Sequence, residues 1–142
     1  MQTMKKIGSW ALTEPNSGSD AAFALQCTVV KNQNGWLLNG EKKWSGNASM
    51  ADVIVVWAKD ASSDQILGFL VEPSMNGVEI DKITDKISKR AMENVHIKLN
   101  NVQLLENQRL PHVKSFKEIG KQLIGGRIAV AWEALGIAMG AY

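Results

Sequence analysis

Hydrophobic and polar positions alternate in short runs between about Phe23 and Leu105, and turn residues separate the runs. Such runs are too short for helices and are typical of β-strands. Asn34-Gly35 and Asn39-Gly40 each predict a hairpin turn. We therefore predict a mainly β fold, an antiparallel β-barrel or sandwich. The predicted strands cover residues 24–31, 36–38, 41–44, 53–58, 66–71, 78–80, 95–99 and 102–105.

Two of these runs also predict which side chains are buried. The run 53–58 is continuously apolar, which indicates a central strand buried on both faces. The run 95–99 alternates, with Val95, Ile97 and Leu99 directed inward and His96 toward solvent.

The pattern changes after Leu110-Pro111, where apolar residues recur every three or four positions up to the last residue, Tyr142. This spacing predicts one long amphipathic helix. Ser115 followed by Glu118 predicts a capping box at its start. Small residues along the helix would let a neighbouring helix approach closely, so we expect it to belong to a helical bundle that lies outside this chain.

Composition excludes some functions without identifying one. The 142 residues are 45% hydrophobic and 21% charged, with a net charge of +2. Acids and bases are interleaved, so no nucleic-acid surface is expected. No apolar stretch approaches the roughly 20 residues that span a bilayer, so no membrane association is expected. Cys27 is the single cysteine and is predicted to be structural; His96 and His112 lack partners at metal-binding or catalytic spacing, so no metal site is predicted.

Two segments are candidates for ligand binding. The loop from Thr13 to Asp20 is rich in hydroxyls and contains Gly18, which exposes backbone amides. Trp44-Ser45-Gly46-Asn47 places an aromatic ring next to a glycine. The residues alone leave two interpretations open for each segment: a binding loop or an ordinary turn, and a ligand platform or a core tryptophan.

The run Ala11–Asp20 (ALTEPNSGSD), together with Asn39–Asn47 (NGEKKWSGN), closely resembles the flavin-binding middle domain of the acyl-CoA dehydrogenase and acyl-CoA oxidase superfamily. Residues 50–52, 55–58 and 68–72 look most like glutaryl-CoA dehydrogenases and short-chain acyl-CoA oxidases. Two positions depart from the usual pattern: Phe23 replaces a small residue, and Gly46 replaces the threonine of most dehydrogenases.

The resemblance implies FAD as cofactor and α,β-dehydrogenation of an acyl-CoA thioester, with electrons passed to a flavoprotein or to O2. Glu14 would be structural, and no catalytic residue is expected in this chain because the family's carboxylate base would lie beyond residue 142. The implied cofactor-binding residues are Ala11, Leu12, Thr13, Ser19, Trp44, Ser45 and Gly46, and the implied substrate contacts are Ser19 and Arg127.

The resemblance also implies a division of the chain. Residues 1–8 would end an N-terminal helical domain, 9–112 would form the β-barrel that binds flavin and acyl-CoA, and 113–142 would begin a C-terminal helical domain. Such a fragment is expected to be inactive and to bind FAD weakly. The full-length protein would be a tetramer or dimer, mitochondrial or peroxisomal in a eukaryote and cytoplasmic in a bacterium. The alternative is a cofactor-free β-barrel scaffold or binding module with a dimerising helix.

Overall fold

The computed structural model of the chain describes residues 3, 5–113 and 115–142. Within these residues, seven strands form one curled sheet, which is followed by a long helix. The strands are β1 (Gly8–Ala11), β2 (Thr28–Asn32), β3 (Gly35–Gly46), β4 (Val53–Asp60), β5 (Ile66–Val71), β6 (Val78–Lys82) and β7 (Asn94–Leu104); the helices are α1 (Ala21–Ala24), a 3-10 turn (Glu106–Gln108) and α2 (Phe116–Ala141).

The sheet is mixed, which corrects the prediction of a purely antiparallel barrel or sandwich. Its order is β1-β4-β2-β3-β7-β6, with β5 also paired to β4. β4 is parallel to β1 and β2, whereas the remaining pairs are antiparallel. Parallel neighbours need long connections between them. Turn motifs in the sequence identify only strands that are joined by short loops. They could therefore not predict the parallel pairing of β4 with β1 and β2.

One of the two predicted hairpin turns is confirmed and the other is wrong. β2 and β3 pair up to Asn32 and Gly35, which confirms the first turn. At Asn39-Gly40 the chain does not turn, because β3 continues to Gly46. The ladder between β3 and β7 instead shifts register there: β7 carries an extra residue, and the Asn39 side chain accepts a 2.8 Å hydrogen bond from the Asn101 amide. β7 likewise runs through Asn100-Asn101, where a break between two strands was predicted.

In the part of the chain that the structure describes, the core consists of two clusters of buried side chains. The larger one lies inside the curled sheet and includes Leu38, Val56, Phe69 and Ile97. The smaller one joins the sheet to the first turns of α2 through Trp57 and Ile119, which are both buried. Four apolar residues of β4 are buried, which confirms its prediction as a central strand: Ile54, Val56, Trp57 and Ala58.

The predicted start of α2 is confirmed, because Ser115 caps the helix and Glu118 completes the capping box. The hydrogen bond from Ser115 lowers the pKa of the Glu118 carboxyl.

Beyond Leu123, the apolar side chains of α2 are exposed and cover more than one side of the helix, so the helix is not the simple amphipathic one predicted. α2 is long and apolar enough to cross a membrane by length and composition alone, which corrects the statement that no stretch approaches that length. The expectation of no membrane association stays a prediction. The same composition also suits a helix surrounded by other helices.

Candidate functional site

A cavity of about 680 Å³ lies between β1, the loop that follows it and the end of β3. The two segments singled out in the sequence meet there, although β2 and most of β3 separate them along the chain. Five of the predicted cofactor residues line the cavity: Leu12, Thr13, Trp44, Ser45 and Gly46. Ser9, Trp10, Lys43, Val55, Met92 and Leu123 form much of the remaining wall.

Trp44 has an unusual backbone conformation. Its φ of 68° is left-handed, which is a rare conformation for a large side chain. The residue lies at a β-bulge, because Lys43 and Ser45 pair with adjacent residues of β7 and Trp44 is the extra one. A bulge re-aims the side chain it carries. Here the indole is 50% exposed and lines the cavity, with Lys43 Nζ 5.4 Å from its ring centroid.

A buried lysine fixes the loop that bears Leu12 and Thr13. Lys42 is fully buried, and its Nζ donates to the Leu12 carbonyl at 3.1 Å and to Glu14 Oε1 at 2.8 Å. The Lys43 amide also donates to the Thr13 carbonyl at 2.8 Å. Consecutive residues of β3 therefore hold consecutive residues of the loop.

Glu14 is a structural residue, as predicted. In addition to the contact with Lys42, its carboxylate accepts hydrogen bonds from the backbone amides of Gln26 at 2.7 Å and Cys27 at 3.0 Å. Because the Glu14 carboxylate is buried and already accepts these hydrogen bonds, it is not free to accept a proton from a substrate.

The polar groups at the end of β3 fit a ligand with a heteroatom edge. The buried Ser45 hydroxyl has no hydrogen-bond partner within the described residues, whereas Ser9 Oγ donates to the Gly46 carbonyl at 2.7 Å. A Cβ on Gly46 would lie 3.6 Å from Met92 Sδ, which is an ordinary van der Waals contact. An indole, an apolar wall and an unused hydroxyl together suit a flat heteroaromatic ring.

Three predicted site residues lie outside the cavity wall. Ala11 is fully buried directly before Leu12. Ser19 is exposed in the turn before α1, where Asp20 accepts hydrogen bonds from Ser17 Oγ and the Gly18 amide. Arg127 is exposed on α2. The proposed ligand contacts of these three residues remain predictions.

Burial raises the pKa of the Cys27 thiol to about 12. Because the thiolate is the nucleophile, we expect Cys27 to resist a thiol reagent such as DTNB in the folded chain at pH 8. One equivalent should react once denaturant unfolds the chain, and this serves as the control. Stoichiometric labelling of the native chain within minutes would contradict the structural role predicted for Cys27.

The fold and the cavity define a curled β-sheet domain that brings a tryptophan and a backbone loop to one cavity. Residues 9–102 match the family model described as "Acyl-CoA dehydrogenase, middle domain". This match covers more than half of the chain, which therefore belongs to the acyl-CoA dehydrogenase family.

Individual relatives agree with this assignment. A short-chain-specific acyl-CoA dehydrogenase of Clostridium acetobutylicum is 34% identical over 97% of this chain. Butyryl-CoA dehydrogenase from Megasphaera elsdenii has a similar structure, with a TM-score of 0.82, 35% identity and coverage of 94% of this chain and 36% of its own. A glutaryl-CoA dehydrogenase from Mycobacterium smegmatis, solved in complex with FADH2, has a TM-score of 0.75, 36% identity and coverage of 79% of this chain and 28% of its own.

The chain spans 37% of the length of the Clostridium relative. The similarity nevertheless includes most of α2. Coverage of 94% of 142 residues leaves about 9 outside the Megasphaera alignment, whereas α2 has 26, so at least about 17 of its residues are aligned.

Proposed function

We propose that this chain forms the flavin-binding part of an FAD-dependent enzyme that removes hydrogens from the α and β carbons of acyl-CoA thioesters. The supporting observation is the cavity, in which the indole of Trp44 meets the loop of Leu12 and Thr13 beside an unpartnered Ser45 hydroxyl. The alternative of a cofactor-free scaffold gives no reason for a strained tryptophan or an unsatisfied hydroxyl at this place.

Different residues of the cavity would contact different parts of FAD. Trp44 would pack against the isoalloxazine ring, Leu12 and Thr13 would bind its pyrimidine edge, and Ser45 and Gly46 would lie along the edge that carries the reactive nitrogen. Bound FAD accepts a hydride and so supplies the redox chemistry. The protein groups orient the ring and exclude water from one of its faces.

The proton acceptor would come from outside this chain. Among the described residues that line the cavity, none is an aspartate or a glutamate. A general base must lie within hydrogen-bond reach of the proton that it removes. We therefore propose that the isolated chain is inactive and that the whole protein supplies the carboxylate.

The remaining proposals concern the whole protein. Residues 9–112 would form its middle domain, flanked by helical domains that begin or end in 1–8 and 113–142. Its substrate would be an acyl-CoA thioester, with Ser19 and Arg127 as contacts, and it would form a homo-oligomer. The Clostridium and Megasphaera relatives are named dehydrogenases, which favours a flavoprotein as electron acceptor. The absence of a side chain at Gly46 would also suit access of O2.

A flavin titration tests this proposal. We expect FAD to bind the chain saturably, and Trp44→Ala to weaken binding about tenfold or more because a stacked aromatic ring is lost. Bound FAD should be measured by flavin absorbance after equilibrium dialysis, since that readout does not depend on which tryptophans remain.

Trp132→Ala is the matched control, because Trp132 is 70% exposed on α2 and lies outside the cavity wall. It should leave FAD affinity unchanged. Failure of the folded chain to bind FAD, or equal effects of the two substitutions, would count against the proposed site.

A further inference from the structure

Asn94 lies next to the bulge that carries Trp44, one residue along β7 from the residues opposite the bulge. It begins β7 and pairs with Gly46 of β3. Its side-chain Nδ2 donates a 2.8 Å hydrogen bond to the Trp44 carbonyl. The bulge gives Trp44 no partner in the register of the ladder. The Asn94 side chain therefore supplies a hydrogen bond at the point where the ladder is interrupted.

Lys86 determines which way the Asn94 amide points. Its Nζ lies 2.6 Å from Asn94 Oδ1, and an ammonium group donates hydrogen bonds but accepts none. The oxygen of the amide must therefore face Lys86, which directs the NH2 group toward Trp44. Lys86 Nζ also donates to the carbonyls of Lys89 at 2.9 Å and Met92 at 2.5 Å. Its three hydrogen bonds therefore connect it to the loop before β7 and to the start of that strand.

This arrangement acts on a strained residue. A left-handed backbone is unfavourable for a bulky side chain and persists only where surrounding contacts enforce it. The hydrogen bond from the Asn94 side chain fixes the orientation of the Trp44 carbonyl, and therefore the backbone angle ψ of Trp44. The bulge sets the direction of the indole. Met92, near the end of the same loop, lines the cavity together with Trp44.

We propose that Asn94, oriented by Lys86, is a positioning residue that holds Trp44 in its left-handed conformation and so keeps the indole on the cavity wall. The consequence for FAD rests on the proposed function, whereas the effect on Trp44 itself does not. The residue acts through Trp44 and needs no contact with the ligand.

Asn94→Asp is the most selective test. The carboxylate keeps the shape of the side chain and its contact with Lys86, but it cannot donate to the Trp44 carbonyl and places a second oxygen against it. We expect the backbone 13Cα resonance of Trp44 to move and its indole NH resonance to shift or broaden. We also expect FAD to bind about tenfold more weakly, as for the loss of one well-placed hydrogen bond.

Asn100→Asp is the matched control, since it makes the same chemical change at an exposed position six residues further along β7, about 20 Å away. It should change neither the Trp44 resonances nor FAD affinity. If Asn94→Asp does not fold, Lys86→Met provides the second test, because it leaves the amide in place but removes the group that orients it.

A double-mutant cycle separates positioning from general damage. In a Trp44→Ala background, Asn94→Asp should cost no further FAD affinity. Equal loss in both backgrounds, or unchanged Trp44 resonances in Asn94→Asp, would overturn the proposal. Movement of the Trp44 resonances in a chain that binds no FAD would support the positioning role and count against the proposed function alone.

Discussion

Replacement of Lys42 with methionine is expected to lower the free energy of unfolding by about 3–5 kcal/mol. The methionine fills most of the space of the lysine, so the loss comes from electrostatics rather than from a cavity. Glu14 would remain 5% exposed without its cation, and the Leu12 carbonyl would lose a donor. A buried charge without a partner is far more costly than an exposed one, because water cannot solvate it.

Urea unfolding followed by circular dichroism measures this effect. Lys59→Met is the matched control: Lys59 forms an ion pair with Asp64 at 3.3 Å, but both side chains are substantially exposed, so the loss should stay below about 1 kcal/mol. Glu14→Gln in the Lys42→Met background should recover part of the loss, because it removes the unpaired charge. A loss for Lys42→Met no larger than that of the control would show that the buried pair does not fix the loop.

The same pair illustrates how far the sequence can predict the site. The two segments around Leu12 and Trp44 were identified from their residues and their resemblance to a family, and the structure brings them into one cavity. Lys42 appeared there only as part of a motif. Its role depends on the pairing of a loop with β3, and no local pattern contains that information.

The same limit applies to the residues that the sequence did not identify. Ser9 lines the cavity because β1 pairs in parallel with β4. Met92 lines it, and Asn94 contacts Trp44, because β7 pairs with β3. These contacts join segments that lie far apart in the chain. By contrast, the capping box of Ser115 and Glu118 and the burial of β4 depend on neighbouring residues, and both were predicted correctly.

Gly40→Ala is expected to lower the free energy of unfolding by about 2–6 kcal/mol, from backbone strain together with overpacking. Gly40 has a φ of 136°, which a residue with a Cβ rarely adopts. A Cβ there would also lie 2.7 Å from the Cα of Cys27, and backbone cannot move aside as a flexible side chain does. The measurement is again urea unfolding, with Gly125→Ala as control.

Gly125 lies within α2 with nothing near the added methyl group, so alanine there should stabilise the helix by about 0.5–1 kcal/mol. An unchanged midpoint of urea unfolding for Gly40→Ala would contradict the close packing of β3 on Cys27.

The ladder of β3 and β7 departs from regular pairing twice, for different reasons. At Gly40, a residue without a side chain permits the irregularity. At Trp44, a large side chain instead occupies a strained backbone conformation. Such strain is expected where it serves a binding site rather than the stability of the fold.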